Sequence, residues 1–162
     1  AQVCELGLQD RVTFRGSLPR MECQVLLQQA HVLLYPSITA SNGDTEGGAP
    51  VAILEAMAAG LPVISTRHAD IPFVLRDGAS GILVDEGDVD GMVRALRQVL
   101  DGGEEVDSLA SEGRRTVEEG HTLESQGKLL EAIYDEARGA SPIRHGASDG
   151  ASSMRKGAHP QV

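Results

Sequence analysis

Tryptophan is absent from the chain, and its only aromatic residues are Phe14, Tyr35, Phe73 and Tyr134. A surface for stacking single-stranded bases is therefore nearly missing, and any core has to be aliphatic. Cysteine is scarce too: Cys4 and Cys23 cannot build a disulfide framework, which fits a reducing compartment such as the cytoplasm. Basic side chains number 14 against 24 acidic ones, for a formal net charge of −10. Such a balance repels a phosphate backbone and excludes general nucleic-acid binding. No apolar run approaches the ~20 residues that span a bilayer. The opening AQVCELGLQD has no basic cluster before an apolar stretch, so it is not read as a signal peptide. It also lacks an initiator methionine, and a fragment or processed chain is expected. No internal repeat is visible.

What remains is the composition of a soluble globular protein. The chain has 162 residues, 41% hydrophobic and 23% charged, enough for one core. From Gly139 the sequence turns to Gly, Ala and Ser without apolar periodicity, and residues 139–162 read as a disordered tail. Residues 1–138 form the expected folded part. There, RVTF (Arg11 to Phe14) reads as a short strand ended by Gly16. Ser17 and Pro19 open a helix, MECQVLLQQA, with Met21, Val25 and Leu26 on one side. HVLLYP reads as a strand buried on both faces, followed by a polar loop. PVAILEAMAAG reads as a helix opened by Pro50 and stopped by Gly60. LPVIST and GILV are further strands, with a short helical turn, IPFVLRDG, between them. A helix from Asp88 to Leu100 should bury Met92, Leu96, Val99 and Leu100. Two more helices follow, near Glu104–Glu119 and Thr122–Arg138. Alternating apolar strands and helices imply an α/β fold: a Rossmann-like parallel sheet with helices on both faces. Ligands of such sheets bind at the carboxyl ends of the strands.

The stretch most suited to chemistry is GDTEGGAPVAILEAMAAG, Gly43 to Gly60, a Gly-rich turn joining a strand to a helix. Gly47 and Gly48 leave no side chain in a ligand's way. Amides near Gly48 to Val51 would face an anion, aided by the helix dipole, as suits a phosphate or diphosphate. The pattern is neither a Walker loop nor the dinucleotide GxGxxG. Glu46 precedes the helix, where it could accept sugar hydroxyls. Glu55 lies more than one turn inward and could accept a vicinal pair, as a ribose offers. Glu46 as a loop-tip acid and Glu55 as an ordinary helix-surface residue are the alternatives.

HVLLYPS, EGGAPVAILEAMAAGLPVIST and DIPFVLRDGASGILVDEGD together resemble the C-terminal half of family-four retaining glycosyltransferases, which have the GT-B fold. The likeness runs from about Arg11 to Tyr134. It implies a donor-binding domain for a nucleotide-diphosphate sugar, truncated at its N-terminus, within an enzyme that transfers a hexose with retention and without a metal or other cofactor. Glu46 resembles the first Glu of the family's paired motif, catalytic in orienting the donor sugar, and Glu55 resembles the second, which holds the ribose. Gly47, Gly48 and Ala49 would offer amides to sugar and phosphate. Arg15, Gly16 and Ser17 lie where the family contacts the base, and Ser37 would sit at the mouth of the cleft. The partners implied are the nucleotide sugar and an N-terminal acceptor half, through which alone a membrane surface would be met. The GDTEGGAP loop is similar to members that build bacterial surface polysaccharides. Here the two Glu stand one residue further apart than is usual, and Phe73 replaces a customary Glu after Ile71-Pro72. The strands that carry the family's diphosphate-clamping Arg and Lys are absent, so this chain alone should not transfer sugar. A nucleotide-sugar or phosphate-binding module without chemistry, or a plain truncated fragment, are the competing readings.

Other patterns carry less. Asp88-Val89-Asp90 matches the DxD of metal-dependent transferases but reads as helix capping. Glu86, Asp88 and Asp90 begin a calcium-loop pattern that ends in Arg97 where a Glu is required. Gly78-Ala79-Ser80-Gly81 is one residue short of a hydrolase elbow and reads as a turn. His31, His68 and His121 have no partner spacing and read as structural; Arg15, Arg20 and Arg67 read as surface charge, with substitution for the missing cationic clamp as the alternative.

Overall fold

The computed structural model describes residues 2–45 and 47–139. Two compact units divide between Gln126 and Gly127. In the first, a short helix α1 (Gln2–Glu5) and α2 (Arg20–Gln29) precede β1 (Leu33–Tyr35). Then follow α3 (Val51–Ala58), β2 (Val63–Thr66), α4 (Ile71–Val74), β3 (Ile82–Val84), α5 (Val89–Asp101) and α6 (Glu104–Gly120). Helix α7 (Leu123–Gly139) runs on into the second unit, where Leu129, Leu130, Ile133 and Tyr134 are exposed. Gly139 thus closes a helix; the rest of the expected tail lies outside the described residues.

The three strands form a parallel sheet in the order β1-β2-β3. Leu33 pairs with Val63, and Ile64 with Ile82. Side-chain alternation along a strand sends successive residues to opposite faces. Val63 and Leu83 join Ile53, Ala56, Met57 and Val117 in one core, against α3 and α6. Ile64 joins Ala95, Val99 and Val106 in the other, against α5 and α6. All four residues of β2 are buried, as a strand covered on both faces requires. The parallel α/β architecture read from the sequence is therefore present.

Four local expectations fail for identifiable reasons. Arg11 to Phe14 is not a strand: β-propensity without a partner strand does not make a ladder, and the amides of Arg11 and Val12 turn back to the Leu8 carbonyl. β1 is not buried on both faces. It is an edge of the sheet, and Leu34 is 41% exposed because α5 packs on β2 and β3. Leu100 is exposed while Ala95 is buried, so the inner stripe of α5 is Gly91, Ala95 and Val99, flanked by Met92 and Leu96. In α2, Met21 and Val25 are likewise exposed, and it is Leu27 that packs on the core.

The turn before β3 is held by Asp77, whose carboxylate accepts the Leu83 amide at 2.9 Å and the Arg67 guanidinium at 2.6 Å. Partial burial pulls the Asp77 carboxyl upward, but the Leu83 amide and Arg67 outweigh it and hold the group below its ordinary value. A carboxyl lowered in the folded state stabilises above its unfolded pKa, about 3.9, and loses that contribution as pH falls through the folded value. Asp77→Asn is therefore expected to lower the thermal midpoint at pH 7 and to converge on the wild type as pH falls through the folded value of the Asp77 carboxyl. Parallel midpoint curves across that range would contradict this.

Candidate functional site

The carboxyl ends of the strands gather the loops with the most chemistry. After β1, a tight loop closes through Ala40 N–H to the Asp44 carbonyl and Gly43 N–H to the Ala40 carbonyl. It leads to the Gly-rich turn, where Gly47 has φ +70°. This conformation suits glycine. Pro50 is the N-cap of α3, with extended backbone. Its fixed φ favours the helix start, and Ile53 N–H bonds back to its carbonyl. The Val51 and Ala52 amides open the helix, where no intrahelical acceptor exists for them. Helix α3 is anchored by Ile53, Ala56 and Met57, each fully buried.

Glu55, on α3, lies beside the first residue of α2. Its carboxylate is 4.0 Å from the Arg20 guanidinium, and its side chain is 35% exposed. The two residues line a crevice of about 370 Å³ between α2 and α3, with Gln24, Leu27, Gln28, Ala58 and Ala59. Glu55 is thus neither buried nor spent on a tight ion pair, and remains able to accept hydroxyl hydrogens. Arg15, Gly16 and Ser17 occupy the loop leading into α2, with Gly16 at φ +63°. The structure brings Arg20 beside Glu55, whereas Arg15 lines a separate crevice with Leu18, Met21 and Glu22.

Other site residues fall differently. Gly47 donates its amide to Thr45 Oγ1 at 3.2 Å, which closes a turn within the loop. Gly48 sits beside the Asp70 carboxylate, 3.9 Å from where a Cβ would stand. Ala49 packs partly against the core. Ser37 is 8% exposed and its carbonyl accepts the Thr66 hydroxyl, which puts it in the wall beyond β1. Glu46 lies outside the described residues. Asp88 caps α5 by accepting Gly91 N–H at 2.8 Å, the role read for it from sequence. Arg67 is held by Asp77 and Asp85, whereas Arg20 faces the crevice.

The sequence reading missed one residue, Asp70, and one pairing, that of His68, read there as structural, with Glu86. Asp70, next to Gly48, has no motif of its own. His68 is 1% exposed, and its Nδ1 lies 2.7 Å from Glu86 Oε1. These residues stand 18 positions apart in different loops, which no spacing rule connects. Phe73, in the place of the customary Glu, is 83% exposed. No helix of the described residues is long and apolar enough to cross a membrane.

Residues 1–116 match the family model described as glycosyl transferases group 1. The amylovoran biosynthesis glycosyltransferase AmsK of Erwinia amylovora is 40% identical over 116 residues, which are 72% of this chain and 28% of AmsK. Among solved structures, sucrose-phosphate synthase from Thermosynechococcus elongatus superposes with a TM-score of 0.73 at 26% identity, over 86% of this chain and 33% of that one. HepE of Anabaena, solved with UDP and glucose, superposes with a TM-score of 0.68 at 18% identity, over 83% and 35% respectively. The chain therefore spans about a third or less of these proteins' length.

Proposed function

The chain belongs to the group 1 glycosyl transferases, and on that premise we propose that it is the donor-binding half of a retaining, GT-B hexosyltransferase acting in surface polysaccharide synthesis. The carrying observation is Glu55. It is half-buried on α3, faces the α2–α3 crevice and stands downstream of the helix-opening amides of Val51 and Ala52. A nucleotide-diphosphate sugar would lay its diphosphate at the start of α3 and its ribose on Glu55, with the base toward Arg15, Gly16 and Ser17. HepE, which carries UDP and glucose on a similar fold, supports this reading, and AmsK supports the polysaccharide assignment.

In the transfer step, the bond between the sugar's anomeric carbon and the diphosphate oxygen breaks, the acceptor hydroxyl oxygen forms the new bond, and its proton passes to the leaving diphosphate. Negative charge grows on the leaving diphosphate. Preorganised amides at a helix start stabilise such charge without reorganising as it develops. Glu46 is assigned the orientation of the sugar hydroxyls. No metal is invoked, since Asp88 of the DxD pattern is engaged as a helix cap. Cys4 and Cys23 are both free, as suits a reducing cytoplasm. Alignment of the acceptor falls to a second half, without which several kcal/mol of orientation advantage is lost.

Residues 1–162 are therefore expected to bind UDP, GDP or ADP in calorimetry and to transfer no sugar. Heat with none of the three would reduce the chain to a fragment without a site. Measurable transfer by residues 1–162 would remove the need for the second half. The alternative of a binding module without chemistry predicts that the same chain, joined to the sequence upstream of it, binds nucleotide but still transfers nothing.

A further inference from the structure

One carboxylate joins the loops that leave all three strands. Glu86, after β3, accepts the main-chain N–H of Thr39 on Oε2 at 2.7 Å, and the Thr39 hydroxyl on Oε1 at 3.4 Å. Thr39 follows β1. The same Oε1 lies 2.7 Å from Nδ1 of His68, which follows β2. An ionised carboxylate only accepts, so the imidazole carries a proton on Nδ1. The Thr39 amide, followed by the His68 ring, holds the Glu86 carboxyl below its ordinary value. Nε2 of His68 is buried and has no hydrogen-bond partner among the described residues, so the ring is anchored through Glu86.

Both arms of this clamp lead to the Gly-rich turn. Thr39 begins the tight loop that closes at Asp44 and runs on to Gly47. His68 precedes Ala69, whose φ of +44° is costly for an L residue and persists only when its surroundings enforce it. Asp70 then stands beside Gly48. We propose that Glu86 is a positioning residue for the donor turn, fixing through Thr39 and His68 the two chain segments that flank Gly48. The proposal rests on the donor-binding reading above. It adds a residue that touches no part of the donor.

The test compares wild type, Glu86→Ala and Glu86→Gln in hydrogen exchange and in calorimetry with UDP, GDP and ADP. In Glu86→Ala, amides 39–48 should exchange faster while Ile64 and Ser65 of β2 keep their protection. Affinity for the nucleotide that wild type binds should fall roughly 3- to 30-fold. Glu86→Gln keeps an oxygen for the Thr39 amide and should restore most of both. Unchanged exchange in Glu86→Ala overturns the clamp. So does faster exchange with unchanged affinity, equal acceleration of β2 amides, or a Gln variant no better than Ala. Should Glu86→Ala not fold, Glu86→Gln decides: near-wild-type exchange and affinity support the clamp, and a general loss of protection overturns it. A wild type that binds none of the three nucleotides overturns the donor reading, and the role given to Glu86 falls with it. A wild type that binds beside an indifferent Glu86→Ala removes the clamp alone.

Discussion

Glu55→Ala is expected to weaken nucleoside-diphosphate binding by about 10- to 150-fold, the equivalent of losing hydrogen bonds from neutral hydroxyls to a charged acceptor. The fold should be indifferent to the change. The side chain is 35% exposed and its contact with Arg20 is a long one, 4.0 Å, to a partner that is itself 80% exposed. Surface pairs of that kind contribute about 0–1 kcal/mol. Thermal midpoints of wild type and variant should therefore nearly coincide while affinities separate. The ligand can be varied as well as the protein. Wild type should discriminate strongly between UDP and 2′-deoxy-UDP if UDP is the nucleotide bound, and Glu55→Ala should discriminate little. That cycle isolates the contact between carboxylate and ribose from any general disturbance of the crevice. Equal discrimination by both proteins would remove Glu55 from the ribose and return it to the helix surface.

Gly81→Ala is expected to lower the thermal midpoint by roughly 4–12 °C, from an overpacking cost of about 1–3 kcal/mol. Gly81 sits at the entrance to β3, in a bridge with Asp77. A Cβ there would stand 2.4 Å from Leu75 Cδ1 and 2.9 Å from the Val63 carbonyl oxygen. The Leu75 side chain is fully buried, and the carbonyl belongs to the central strand, so neither neighbour can retreat cheaply. The glycine is required here by close approach and not by backbone angle. Leu75→Ala alone removes buried methyl groups and costs about 2–5 kcal/mol. Combined with Gly81→Ala, the two should cost less than their sum, since the second change vacates the space the first demands. Strict additivity in chemical denaturation would show that steric conflict is not the cause.

The sequence-based reading and the structure agree best where the signal is local. Pro50 and Gly60 bracket α3, Asp88 caps α5, and the apolar runs around Leu33–Tyr35, Val63–Thr66 and Ile82–Val84 are strands. Each follows from a backbone rule that acts within a few residues. The disagreements share a cause as well. Among the described residues, Arg11 to Phe14 has strand composition but pairs with no strand, and Leu34 has core composition but stays 41% exposed. Composition registers what a residue can do and is silent about whether a neighbour arrives.

By itself the amino-acid order determined the succession of elements from α2 onward, the parallel α/β class and the family, because periodicity, caps and a contiguous motif are written along the chain. Only the folded molecule decided which polar groups meet. Arg20 reaches Glu55 across two helices, and Glu86 gathers Thr39 and His68 from positions 47 and 18 residues away. The register of a parallel sheet sets those meetings by aligning the strand ends from which the loops depart. Register is a relation between segments, and no single segment carries it.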